Sequence, residues 1–175
     1  MNNIDQNEGY LKLIIGPMYS GKTSSLIHIY NTYRHHFNIL VINHSEDVRY
    51  GKQNMSTHDG IKIPCIFTSD LSCIENIQDY DMILINEGQF FPDVFDWVKH
   101  MVTYLNKRVY IAGLDGDFKQ EPIGDILKLL PYSNKCTKLT SLCYDCRDGT
   151  EAIFSHRITN ETQQIVICQF SICPP

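Results

Sequence analysis

The chain has no cationic excess. Fifteen Lys and Arg stand against twenty Asp and Glu, a formal charge of −5 with a pI near 5.7. Surfaces that live on phosphate-backbone contacts are normally basic, so nucleic acid is not an expected partner. Nor is there an apolar run of the roughly 18–20 residues that a membrane span needs. The first ten residues, MNNIDQNEGY, are polar and lack the cationic-then-apolar order of an export signal. The expected setting is cytoplasmic, with no membrane partner. Internal repeats and low-complexity tracts are missing too. What is present is 43% apolar and 20% charged residues in a chain of 175, enough for one packed domain with a small appendage.

A disulfide framework is also missing: seven cysteines is an odd number, in a chain without an export signal. Four of them (Cys143, Cys146, Cys168 and Cys173) fall in the last thirty-three residues and suggest a metal site. Cys65, Cys73 and Cys136 are scattered and read as small core hydrophobes.

Apolar runs at Leu11–Ile15, Asn38–Asn43, Met82–Ile85 and Val109–Ala112 predict strands, and the unbroken run MILI fits a parallel sheet covered on both faces. Helical spacing predicts helices over Lys22–Tyr33 and Pro92–Leu105. Ile61–Phe67 reads as one strand with Pro64 marking an edge or bulge, and Asp70 as the cap of a short helix, Leu71–Ile77. Alternating strands and helices imply an α/β fold with an open, mostly parallel sheet flanked by helices. After Pro131 the pattern changes to short strands around cysteine turns, over Thr137–Leu142, Ala152–Ile158 and Gln163–Ile167. The division falls near residue 136, with a nucleotide-binding domain over 1–135 and a small β subdomain over 136–175.

Gly16-Pro17-Met18-Tyr19-Ser20-Gly21-Lys22-Thr23 fits G-x-x-x-x-G-K-[ST] without exception, between a predicted strand and a predicted helix. Glycines let main-chain N–H groups face phosphate oxygens, and the helix N-terminus favours the same anion. Lys22 is expected at the β- and γ-phosphates of ATP, and the Thr23 hydroxyl at Mg²⁺. The strand end Asn86-Glu87 supplies the acidic group that such sites need. Glu87 reads either as a general base for an attacking hydroxyl or as a cap on the strand end. Asn86 is the second expected Mg²⁺ contact, without charge.

Four segments together resemble the type II thymidine kinase family, its cellular and poxvirus-like branch: GPMYSGKT (16–23), Asp47-x-Arg49-Tyr50 with Thr57-His58-Asp59, NEGQFFPD (86–93) and LDGDF (114–118). Cys143-x-x-Cys146 follows, preceded by Lys138-Leu139-Thr140. The resemblance implies transfer of the ATP γ-phosphoryl group to the 5′-hydroxyl of thymidine or deoxyuridine in nucleotide salvage. It implies Glu87 as base, Arg49 beside the transferring phosphate, and Met18, Phe91, Leu114 and Phe118 as the apolar slot for the base. A homotetramer is also implied.

Cys143 and Cys146 have zinc-knuckle spacing, and with Cys168 and Cys173 (C-x4-C) they would close a structural Zn²⁺ site in a zinc-ribbon-like subdomain. Two departures stand out. Position 86 is Asn where the family usually has Asp. The segment before the last cysteines has no Gly-Gly and no Tyr, where the family has a loop that closes over the nucleoside. An alternative is therefore a degenerate relative that binds nucleotide in a structural or regulatory role. A third reading, a P-loop ATPase whose ribbon touches nucleic acid, finds only Lys135, Lys138, Arg147 and Arg157 to support it.

Overall fold

A computed structural model of the chain describes residues 8–47, 54–56, 60–158 and 160–165. The chain opens with β1 (Tyr10–Ile15), then α1 (Lys22–Tyr33) and β2 (Ile39–His44). Three short strands follow: β3 (Asn54–Ser56), β4 (Lys62–Pro64) and β5 (Ile66–Thr68). Next come β6 (Met82–Ile85), α2 (Val94–Thr103), β7 (Arg108–Gly113) and β8 (Lys135–Lys138). Two-residue strands β9 (Ser141–Leu142) and β10 (Glu151–Ala152) close the described part.

Six strands form one parallel sheet in the order β5-β2-β6-β7-β1-β8. Side chains alternate between its faces. Leu11, Leu13, Ile83, Ile85, Val109 and Ile111 point to one face, against Val94, Val98 and Met101 of α2. Ile14, Met82, Leu84, Tyr110 and Ala112 point to the other, against Leu26, Ile27 and Ile29 of α1. All four β6 residues are fully buried, as a strand covered on both faces requires. Full burial of such side chains stabilises by about 1.5–3 kcal/mol each. This aligns the carboxyl ends of β1, β6 and β7, where an open α/β sheet carries its chemistry.

The expected strand over Ile61–Phe67 divides at Cys65. Its first half pairs antiparallel with β3, while its second half is the edge strand of the main sheet. The expected helix over Leu71–Ile77 is instead two single 3₁₀ turns, Leu71–Cys73 and Ile77–Asp79. Asp70 makes no side-chain cap there. The Asp93 carboxylate accepts the Leu71 and Ser72 amides instead, at 3.3 and 2.8 Å. β8 is hydrogen-bonded to β1, so the main sheet continues past the division expected between 135 and 136. Ala152–Ile158 is extended only at its start, in β10. Cys65 is half-buried, but Cys73 and Cys136 are exposed, so those two are not core hydrophobes.

Candidate active site

The phosphate-loop pattern lies where β1 ends and α1 begins. Gly16 sits at φ +148°, and a Cβ there would lie 2.3 Å from the Leu139 carbonyl oxygen. Only glycine lets the loop pass that close. Gly21, at φ +82°, precedes the first residue of α1. Lys22 folds across the loop, its Nζ donating to the Pro17 carbonyl and, at 3.4 Å, to Ser20 Oγ. The Met18 amide donates to Ser155 Oγ at 2.9 Å, tying the loop to the C-terminal segment. Tyr19 is exposed at the loop tip.

The end of β6 meets this loop through Thr23, whose hydroxyl donates to Asn86 Oδ1 at 3.4 Å. Asn86 is buried, and its Nδ2 donates to Asn43 Oδ1 at 3.1 Å. Asn43 Nδ2 in turn donates to Asp47 Oδ2 at 3.0 Å. Thr23 and Asn86 thus bring together two neutral oxygens of the hard type that Mg²⁺ accepts, which fits the expected ion. Glu87 follows in the left-handed conformation, φ 55°. Its Oε2 accepts Gln89 Nε2 at 2.7 Å, and Gln89 Oε1 accepts the Leu114 amide at 3.0 Å. Gln89, 3% exposed, is the cross-brace that holds the β6 and β7 ends together. Gly124, at φ +57°, makes room for it, since a Cβ there would come within 2.2 Å of the Gln89 carbonyl oxygen.

A cavity of about 380 Å³ opens beside this brace, lined among others by His44, Asp70, Gln89, Phe90, Ile123 and Gln164. Phe90, not Phe91, faces it. Phe91 is 1% exposed and belongs to the core cluster, its ring edge-on to His44 at 4.8 Å. The expectation for Phe91 is therefore corrected: its ring holds the fold and has no free face for a base. In the pair Phe90-Phe91 the two side chains part company at the 3₁₀ turn Gly88–Phe90. Spacing alone cannot say which ring turns outward. Met18, Leu114 and Phe118 do not line this cavity. The Phe118 ring is covered by the Arg157 guanidinium, 3.9 Å from its centroid. Burial pushes the His44 imidazole below its usual range, against the opposing pull of Glu46, Glu87, Asp70 and Asp47.

Sequence reasoning missed Asn43, Gln89, Phe90 and Arg157. Gln89 and Phe90 stood inside the NEGQFFPD segment, so a signal was available for them. Asn43 carried none beyond its place at a strand end. Asp117 accepts the Lys119 and Glu121 amides. Burial opposes its charge, but those bonds and Gln164 hold its carboxyl below the usual range. It therefore fixes the 117–121 turn.

Arg49, Cys168 and Cys173 lie outside the described residues. The Cys143 sulfur accepts hydrogen bonds from the Cys146 amide, the Cys146 thiol and the Asp145 amide, which lower its pKa. The same thiol contact raises that of Cys146. Two sulfurs turned toward each other in this way fit half of a tetrahedral zinc site. Among the described residues, no group of three or more His, Cys, Asp or Glu suits a metal. Burial pushes the Cys65 thiol up to about 11, which keeps it protonated at neutral pH. No helix among the described residues is long and apolar enough to cross a membrane.

The sequence profile described as Thymidine kinase matches residues 9–172. The thymidine kinase of Sheeppox virus (strain KS-1) is 40% identical over 157 residues, 89% of this chain and 86% of that protein. That of Yaba monkey tumor virus (strain VR587) is 38% identical over 166 residues, 94% of this chain and 90% of its own. That of Vaccinia virus (strain Western Reserve) is 39% identical over 163 residues, covering 92% and 90%. The profile match runs well into the segment that departs from the family's closing loop.

Proposed function

The chain belongs to the thymidine kinase family, and from that premise we propose that it moves the γ-phosphoryl group of ATP to the 5′-hydroxyl of thymidine or deoxyuridine, with Glu87 as general base. The observation that carries this reading is the link from phosphate loop to acid: Thr23 contacts Asn86, and the next residue is a carboxylate held in place by Gln89.

Main-chain amides of residues 16–23 and the start of α1 hold the triphosphate, and Lys22 neutralises its β- and γ-oxygens. Thr23 and Asn86 would hold Mg²⁺, which when bound screens the charge on those same oxygens. Glu87 accepts the proton of the sugar hydroxyl as that oxygen attacks phosphorus and ADP leaves. Arg49 is assigned to the charge that develops on the transferring group. The flat base is assigned to the cavity beside Phe90 and Ile123, with Met18, Leu114 and Phe118 on the surrounding loops. Cys143 and Cys146, completed by Cys168 and Cys173, are assigned to structural zinc. Cytoplasmic location and a homotetramer, both drawn from sequence and resemblance, belong to the same reading. The alternative of a nucleotide binder without kinase activity rests on the two sequence departures alone, and the family match does not favour it.

The test is Glu87→Gln. Turnover of thymidine is expected to fall by about 10²–10⁴, the usual worth of a positioned base, while calorimetric affinity for ADP stays as it was. Unchanged turnover would remove Glu87 from the mechanism.

A further inference from the structure

The two buried asparagines between β2 and β6 have no role in the mechanism above beyond the Asn86 contact. Asn43 is 2% exposed and Asn86 3%, and their side chains meet at 3.1 Å. An amide can be turned either way, so its orientation has to be argued from fixed partners. Asn43 has two. The His44 main-chain N–H can only donate, and it meets Asn43 Oδ1 at 3.1 Å. The Asp47 carboxylate, when ionised, can only accept, and it meets Asn43 Nδ2 at 3.0 Å. Oxygen therefore faces Asn86, and Asn86 must answer with its NH₂. That leaves Asn86 Oδ1 directed at Thr23.

We propose that Asn43 is a positioning residue for the cation side of the phosphate site: anchored by Asp47 and the His44 amide, it fixes Asn86 with its carbonyl oxygen toward Thr23. This rests on the magnesium reading above. Besides Glu87, the next residue, the chain of contacts brings in the Asp47 carboxylate, and two amide side chains connect it to Thr23. The Thr23 hydroxyl spends its hydrogen on Asn86, which turns its lone pairs outward to a metal ion. Outer partners of this kind commonly change metal affinity by about 10–100-fold when removed.

The arrangement makes an unusual demand. A carboxylate at position 86 would ordinarily be expected to strengthen a Mg²⁺ site. Here it would set an anionic oxygen against Asn43 Oδ1, acceptor on acceptor, in a buried place where an unmet group costs about 1–3 kcal/mol. Asn43 cannot turn to relieve this without opposing both the His44 amide and Asp47. An ammonium at position 43, a donor only, can serve Asp47 and a carboxylate at 86 together.

Calorimetric titration of ADP with and without Mg²⁺, beside thermal melting, separates the possibilities. For the unaltered chain, Mg²⁺ should tighten ADP; if it does not, the magnesium reading itself falls. Asn86→Asp alone should melt earlier and gain nothing from Mg²⁺ over the unaltered chain. The double change Asn43→Lys with Asn86→Asp should recover both. Asn43→Ser, too short to reach position 86, should lose about tenfold of the Mg²⁺-dependent gain and keep its metal-free ADP affinity. Tighter Mg²⁺·ADP binding by Asn86→Asp without loss of melting temperature overturns the proposal. So does an Asn43→Ser protein that melts earlier yet keeps the full Mg²⁺ gain, since Asn43 would then be structural only.

Discussion

The parallel sheet and the segment beyond Lys138 are held together by different physics. In the sheet, the ends of β1, β6 and β7 are fixed because nearly every strand residue behind them is packed on two faces. Beyond Lys138, β9 and β10 have two residues each, and Leu142, Ile153 and Ile158 are 66%, 54% and 57% exposed. That segment has too little apolar burial of its own and needs cross-links. Among the described residues such ties include Leu139 to Ile15, Ser155 to Met18, Gln164 to Pro122, and Arg157 to the Phe118 ring and to the residues that follow it. The half assigned above to the phosphates thus inherits its geometry from a core. The half assigned to the nucleoside has to be tied down, and each half should fail in its own way.

The largest effect is expected where the two halves touch. Gly16→Ala puts a Cβ 2.3 Å from the Leu139 carbonyl, just after β8, at a φ that L-residues rarely adopt. Such backbone strain alone costs about 1–3 kcal/mol, and relieving the overlap must displace either the phosphate loop or residue 139. ADP binding should be lost to calorimetry and the melting temperature should fall. Normal ADP binding by the Gly16→Ala protein would mean the loop does not need this close approach.

A smaller and one-sided effect should follow metal removal. If zinc joins Cys143 and Cys146 to Cys168 and Cys173, a strong chelator should raise the rate of proteolytic cleavage after Lys138 by about tenfold or more, because binding energy at such sites is folding energy. Thymidine turnover should fall with it, whereas ADP affinity, which belongs to the sheet, should hold. Metal analysis showing no zinc in the purified protein would dissolve this side of the comparison.

The same division explains how far the sequence could be read. α1 runs from Lys22 to Tyr33 and β6 from Met82 to Ile85, as periodicity predicts, because in both the pattern records burial. The glycine-lysine loop was legible because backbone geometry imposes its residues. Phe90 and Phe91 were not separable, since one turn decides which ring joins the core. Asp93 capping the turn at Leu71, and Asn43 reaching Asn86, are contacts over 22 and 43 residues that no local pattern encodes. The tail was hardest, because its order depends on single polar ties and not on a repeating apolar face.

Arg157 is the side chain on which the separation of the two halves most depends. Its guanidinium covers the Phe118 ring and donates to the carbonyls of Glu161, Gln163 and Gln164. Gln164 and Ile165 then line the cavity beside Phe90. One side chain therefore holds the returning chain against the 114–118 loop, where the family's own closing loop is not recognisable in sequence. Arg157→Ala removes the stacking and the carbonyl contacts together, a loss on the order of 1–2 kcal/mol for partly exposed groups, or 5–30-fold. It should appear as a higher KM for thymidine with the KM for ATP unchanged. Arg157→Lys keeps the charge without the planar fork, so it should recover only part of the loss. Equal rises in both KM values would mean that the segment supports the whole fold, and that the two halves are less independent than their packing implies.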